Sequence, residues 1–231
     1  MRVAVFHGSP CRGNTYLAAS IFMNELEKCG DVQYVEFFLP KDLPAFCTGC
    51  TLCFGGLQEK CPNAHYTAPI LDAIITSDAL VFATPHYGAC SMPGAMKNLF
   101  DHIDFLVLNV LPRAEMFEKK AFIITTGAGS TAAVKPIKSF LNHCGVNRVY
   151  SLGLRLFANK WDKMPKVRQI RYEKAIRLAA KRFHAAKKGR PRLSTIAYYY
   201  ISRFLIKRFI GEGNYPYEYW KEKGYFKKRP F

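Results

Sequence analysis

The stretch MRVAVFHGSPCRGNTYLAAS, residues 1–20, decides the fold. Val3–His7 is a short apolar run that stops in Gly8-Ser9-Pro10, the pattern of a buried strand feeding a loop. From Asn14 to Cys29, Leu17, Ile21 and Leu26 keep roughly helical spacing, so the loop opens into a helix. The same alternation recurs downstream. Strands are predicted at Val32–Phe38, Ala79–Thr84, Ala121–Thr126 and Val146–Leu154, and helices near Ala68–Ser77, Pro93–Leu106 and Thr131–His143. Strands alternating with helices of this length imply an α/β chain with a parallel sheet covered on both faces.

After Phe157 the composition changes. Lys166–Lys188 reads as a long basic helix with Tyr172, Ile176, Ala179 and Phe183 on one stripe. The GRPR break at 189–192 leads to a second helix, Ser194–Ile210, where Tyr198, Ile201, Leu205 and Phe209 share a face. The predicted organisation is therefore a domain over 1–157 and a basic, aromatic, helical extension over 158–231.

Charge follows the same division. Residues 1–118 hold 7 Lys/Arg and 12 Asp/Glu, whereas residues 119–231 hold 27 and 5 of a chain total of +17. So lopsided a chain suggests that its basic half meets something anionic: nucleic acid, lipid headgroups, an acidic protein or a phosphorylated cofactor. No run approaches the roughly eighteen apolar residues of a membrane span. The N-terminus enters turn residues too early for a signal peptide, and the expected location is cytoplasmic. The eight cysteines are then expected as reduced thiols rather than a disulfide framework.

Three strand ends carry loops suited to a ligand, because open parallel sheets bind at the carboxyl ends of their strands. HGSPCRGNT, residues 7–15, offers small residues, the donors Ser9, Asn14 and Thr15, and a helix N-terminus for a phosphate monoester. It is neither a G-x-G-x-x-G nor a Walker loop. ATPHYGACSMPGAMKNLFDH, residues 83–102, puts Pro85, His86, Tyr87 and Gly88 beside a crevice where a flat heterocycle would lie. TTGAGST, residues 125–131, is a third small-residue turn able to bring backbone N–H groups against a ligand edge.

These residues together resemble the NAD(P)H-dependent FMN reductase group, which has a flavodoxin-like fold. The resemblance rests on GSP–CR–GNT after the first strand, TPHYG after the third and the MKNLFDH helix, and covers residues 1 to about 155. The late YEYWKEKGY, residues 217–225, is similar to the aromatic tail of some members. The resemblance implies a five-stranded three-layer α/β/α sandwich. It implies that Ser9, Arg12, Asn14 and Thr15 hold the FMN phosphate, that Pro85, His86, Tyr87 and Gly88 contact the isoalloxazine, and that Thr126, Gly127 and Gly129 border its other side. NAD(P)H is the implied co-substrate and a homo-oligomer the implied assembly.

FCTGCTLCFGGLQEKCP, residues 46–62, carries Cys47, Cys50, Cys53 and Cys61 as C-x2-C-x2-C-x7-C. A 4Fe–4S cluster takes four thiolates, and this spacing wraps a cubane corner with the fourth cysteine returning from nearby. Zinc also takes four cysteines, although two separated knuckles are its usual pattern. A metal-free loop of structural or redox-sensitive thiols is the third reading. The resemblance points to iron–sulfur flavoproteins and to their cluster-free relatives alike. Cys29, Cys90 and Cys144 read as packing residues, and Cys11 as a candidate reactive thiol in the phosphate loop.

The function expected is therefore an FMN-dependent NAD(P)H oxidoreductase whose electrons reach an acceptor directly or through the cluster. Its basic extension would dock an acidic redox partner such as a ferredoxin or cover a dimer interface. The alternative, from another class, is a basic nucleic-acid or membrane-surface binding protein on the same scaffold.

Overall fold

Along the first strand, β1 (Arg2–His7), Val3 and Val5 point to one face of the sheet while Ala4 and Phe6 point to the other, and all four are fully buried. A strand buried on both faces needs layers on both sides. The computed structural model describes residues 1–87, 92–129, 131–158, 160–187 and 191–231. It builds those layers from α1 (Asn14–Cys29), β2 (Gln33–Phe38), α2 (Leu39–Asp42), α3 (Ala64–Thr76), β3 (Ala79–Pro85), α4 (Gly94–Ile103), α5 (Ala114–Glu118), β4 (Lys120–Thr126), α6 (Val134–His143) and β5 (Arg148–Leu154). Then come α7 (Lys166–Ala185), α8 (Leu193–Leu205) with a π-helical continuation at Ile206–Ile210, and α9 (Tyr215–Glu222).

The sheet is five-stranded and parallel in the order β2-β1-β3-β4-β5, the flavodoxin-like arrangement. Strand order reverses between β1 and β3, so the crevice of the fold opens beside the loops that follow them. The period of two holds across the sheet. Ala4, Phe6, Leu80, Phe82, Ala121 and Ile123 enter one core with Leu99, Phe100, Ile137 and Trp220. Val3, Val5, Val81, Phe122 and Ile124 enter the other with Phe22, Leu26, Ile176 and Phe183. The C-terminal region contributes to both cores. α7 lies against α1, while Tyr199 of α8 and Trp220 of α9 close the opposite face.

Element ends differ from the sequence pattern in physically simple ways. α3 begins at Ala64, ahead of the predicted 68, and takes Pro69 into its interior, where the ring has no N–H to give the His65 carbonyl. The second C-terminal helix changes winding at Ile206 and stops at Gly211, whose φ of +73° suits glycine. α9 was not legible as a helix, since its YPYEYWKE stretch buries Tyr219 and Trp220 without a long apolar stripe.

α1 and α7 are also joined by charge. Glu25 is buried and takes Arg177 at 3.2 Å and Lys181 at 3.3 Å. Burial pushes its carboxyl up, but the hydrogen bonds from Arg177 and Lys181 outweigh that and hold it below its usual range. A depressed carboxylate contributes stability that is complete above the unfolded pKa of about 4.3 and is lost as pH falls through the lower folded value. Chemical denaturation across that window should show the wild type losing stability on acidification. Glu25→Gln should be weaker at pH 7 and lose less as pH falls; an identical acid limb would remove Glu25 as the cause.

Candidate active site and cysteine pocket

The carboxyl ends of β1, β3 and β4 meet through short polar contacts. Gly8 donates its N–H to the Ala83 carbonyl at 2.9 Å, and a Cβ there would come within 3.0 Å of Thr84 Oγ1 and Met96 Cε. The backbone of the first loop therefore passes close to β3 and α4, and a larger residue there would have to displace Thr84 or Met96. His86 donates its N–H to the Thr126 carbonyl at 2.8 Å, joining the second loop to the third. Thr15 Oγ1 and Thr126 Oγ1 lie 2.6 Å apart, joining the first loop to the third. Three segments far apart in sequence thus form one rim.

The predicted phosphate-loop residues take distinct positions on that rim. Ser9 Oγ accepts the Cys11 N–H at 3.3 Å, a local turn that curls the loop. Asn14 is half-buried and donates to the Ala158 carbonyl at 3.1 Å, so the start of α1 is tied to the segment after β5. Thr15 is buried through Thr126. Arg12 is exposed, its guanidinium 5.2 Å from the Tyr16 ring centre and 5.3 Å from that of Phe38. Stacking of this kind parks a cation at the mouth of the loop.

Around the second and third loops, Pro85 and His86 are half-buried and Tyr87 is exposed. Gly88 and Cys90 lie outside the described residues. The His86 ring packs against Gly129 and its Cβ against Gly127, whose φ of +132° again favours glycine. His86 Nδ1 is buried with no hydrogen-bond partner among the described residues. A buried polar atom without a partner costs free energy. Beside two glycines and the threonine pair, it suits a flat ring with polar edges. FMN fits this donor set: small residues and a helix N-terminus for its phosphate, an orphaned ring nitrogen for its heterocycle.

Sequence reasoning missed His7. It is buried at the end of β1, stacks on Phe38 with ring centres 4.6 Å apart, and lies 2.6 Å from Glu36. Burial holds its pKa below the usual range although Glu36 pulls the other way. A neutral imidazole donating from Nε2 to Glu36 fits that balance and stiffens the strand end beneath the phosphate loop. The signal was the polar pair His7 and Glu36 within the mainly apolar runs of two neighbouring strands.

The four cysteines converge. Cys47, Cys50, Cys53 and Cys61 line one cavity of about 300 Å³ with Phe54, Leu71, Ile103 and Phe105, and Asp101 and Asp104 at its wall. Backbone N–H from Leu52, with the Thr48 hydroxyl and Cys61 thiol, lowers the Cys50 pKa, while burial and then the charges of Cys47 and Cys50 raise that of Cys53. All cysteines among the described residues are free thiols. No group of three or more His, Cys, Asp or Glu side chains among the described residues is drawn together tightly enough to hold a metal ion.

The loop's anchors were also missed. Asn98 Oδ1 accepts the Cys47 N–H at 3.1 Å and its amide donates to the Ala45 carbonyl at 2.9 Å. Asn63 donates to the Phe46 carbonyl at 3.0 Å and lies 3.2 Å from His102 Nε2, while His102 Nδ1 is 2.9 Å from the Asn98 carbonyl. Asn98 and His102 are four apart on α4, hence on one face, and that spacing in MKNLFDH was the available clue. α4 therefore touches Gly8 through Met96 and carries the cysteine loop one turn on. One helix braces both sites.

Comparison with known proteins agrees with this fold. A family model described as NADPH-dependent FMN reductase matches residues 1–161. An NAD(P)H:quinone oxidoreductase from Methanothermobacter marburgensis is similar in structure, with a TM-score of 0.62 at 16% identity over 80% of this chain and 98% of that one. An apo NADH:FMN oxidoreductase gives 0.53 at 21% identity over 84% and 97%. The flavoenzyme NAD(P)H:(acceptor) oxidoreductase from Paracoccus denitrificans gives 0.53 at 20% over 79% and 94%. At these identities the structural likeness speaks for the fold alone. No curated protein matches the chain.

Proposed function

Since the chain belongs to the NADPH-dependent FMN reductase family, an NAD(P)H-dependent flavin oxidoreductase with FMN as cofactor, we propose that the rim at the carboxyl ends of β1, β3 and β4 is its flavin site and that a quinone-class small molecule is its acceptor. The observation that carries the assignment is the junction of the three loops, through Thr15, Thr126 and the His86 N–H, around a His86 Nδ1 that has no partner among the described residues. FMN held there would supply hydride-transfer and electron-transfer chemistry. The chain's own residues do the positioning. Ser9, Asn14 and the α1 N–H groups receive the phosphate, with Arg12 free to swing from its aromatic perch. Gly127 and Gly129 let backbone approach the ring edge, and His86 Nδ1 takes a hydrogen bond there. Exposed Tyr87 lies where the nicotinamide or acceptor would arrive. The quinone assignment draws support from the printed activity of the M. marburgensis structure.

Three finer points belong to the same proposal. Cys47, Cys50, Cys53 and Cys61 would hold a 4Fe–4S cluster, supplying one-electron transfer. Their donor count, shared cavity and N–H-stabilised Cys50 support this. The free thiols also support a reducing, cytoplasmic location. Residues 158–231 are taken as an extension of the flavin domain. A nucleic-acid-binding scaffold is not favoured by the family.

Purified protein reconstituted anaerobically with FMN should show flavin bands and oxidise NAD(P)H when a soluble quinone is added. Protein that takes up no FMN would remove the flavin assignment, and quinone-independent turnover only would remove the acceptor. Iron and acid-labile sulfide assays on the same sample test the cluster: flavin bands with neither element would overturn it.

A further inference from the structure

α8 leaves much of its apolar surface outside. Its inward positions are Thr195, Tyr199 and Ser202, followed by Ile206 of the π segment. Outward stand Leu193 at 85% exposure, Phe204 at 62%, Phe209 at 73%, and also Tyr200, Ile201 and Leu205. The positions 193, 197, 200, 201 and 204 recur at helical spacing and make one stripe. The π winding extends it, because residues five apart stack in such a turn. Phe204 and Phe209 accordingly meet edge to face with ring centres 6.4 Å apart. A helix whose apolar stripe faces water has an occupant elsewhere.

Charge identifies the occupant. Between Leu193 and Ile210 the charged residues are Arg203, Lys207 and Arg208, with no acidic residue among them. Lys207 Nζ sits 5.1 Å from the ring centre of Phe226, which brings the exposed tail residues Lys227, Lys228 and Arg229 to the same border. Cations rimming an aromatic and aliphatic stripe fit an anionic lipid bilayer, whose acyl boundary takes the rings while its headgroups take the ammonium and guanidinium groups. A two-fold contact between two copies would set Arg203, Lys207 and Arg208 against their own equivalents. A nucleic-acid backbone would satisfy the cations but leave Leu193, Ile201 and Leu205 in water. No helix among the described residues is long and apolar enough to cross a membrane, so the contact is with the surface.

We propose that the α8 face, from Leu193 to Phe209, docks the enzyme on anionic membrane surfaces. The FMN-loaded full chain should sediment with vesicles of equal parts phosphatidylcholine and phosphatidylserine, and much less with phosphatidylcholine alone. Raising ionic strength from about 0.1 M to about 1 M should weaken binding, since screening shortens the reach of the cations. The pairs Phe204→Asp with Phe209→Asp, and Lys207→Gln with Arg208→Gln, should each lower vesicle partitioning by about tenfold or more. Both pairs lie on exposed positions, so flavin content and NAD(P)H oxidation of a soluble acceptor should stay unchanged, which separates this result from failure of the flavin site. Three outcomes would overturn the proposal: no vesicle binding at low salt; a dimer in sedimentation equilibrium that Phe204→Asp dissociates; or duplex DNA binding that competes vesicles off.

Discussion

Gly127→Val should leave a folded protein that no longer retains FMN. Gly127 has φ +132° and donates its N–H to the Leu154 carbonyl at 3.1 Å, so its conformation is fixed by the end of β5. A Cβ there would come within 3.1 Å of the His86 carbonyl oxygen and 3.2 Å of its Cβ. Valine must therefore adopt a disfavoured φ and also push away the loop that carries His86, costs of about 1–3 kcal/mol for the backbone alone. Because the loop belongs to the rim, the strain is expected to fall on ligand binding, with flavin affinity reduced about a hundredfold. Equilibrium dialysis of FMN, beside circular dichroism of the apoprotein, checks it. Gly127→Ala keeps the φ penalty and the Cβ contacts and removes only the γ-methyl bulk, so it should fall between wild type and valine. Unchanged affinity in the valine variant would mean that the flavin does not lie against this loop.

Trp220→Ala is expected to cost about 3–5 kcal/mol, the range for truncating a large core aromatic. Trp220 is fully buried, stacks on Tyr199 with ring centres 5.7 Å apart and an interplanar angle of 14°, and donates from Nε1 to the Val110 carbonyl at 3.2 Å. Tyr199 in turn donates its hydroxyl to the Tyr225 carbonyl at 2.6 Å. Removing the indole opens a cavity between α8, α9 and the segment before α5, and leaves the Val110 carbonyl without that donor. Urea unfolding should show the midpoint fall. Tyr199→Phe keeps the packing and removes one hydrogen bond, so about 1 kcal/mol is expected from it. A Trp220→Ala midpoint close to wild type would show that the C-terminal helices pack independently of the sheet core.

The local patterns in this chain carried the architecture. Alternating burial at Val3, Ala4, Val5 and Phe6 needs only the two-residue period of a strand, and the Asn14–Cys29 helix follows from spacing and a loop of small residues. These signals are short-range and survive in one sequence. Helix ends were less legible where a proline sits inside, as at Pro69, or where winding changes, as at Ile206. α9 was hidden because aromatic residues serve equally in helices, turns and tails.

The candidate site divides along the same line. The three loops announced themselves as small-residue turns at strand ends, and the four cysteines as one motif. That Thr15 meets Thr126, that the His86 amide joins the Thr126 carbonyl, and that Asn63, Asn98 and His102 pin the cysteine loop were not visible, because hydrogen bonds between distant segments leave no periodicity. The sequence by itself determined a parallel α/β sandwich with small-residue loops at its strand ends and a basic C-terminal region, since hydrophobic period and turn chemistry are written residue by residue. Only the tertiary structure decided which side of α8 faces water, because the sequence shows an apolar stripe without saying whether the core or the solvent receives it. Packing chose to bury Tyr199 on Trp220 and to leave Phe204 and Phe209 outside.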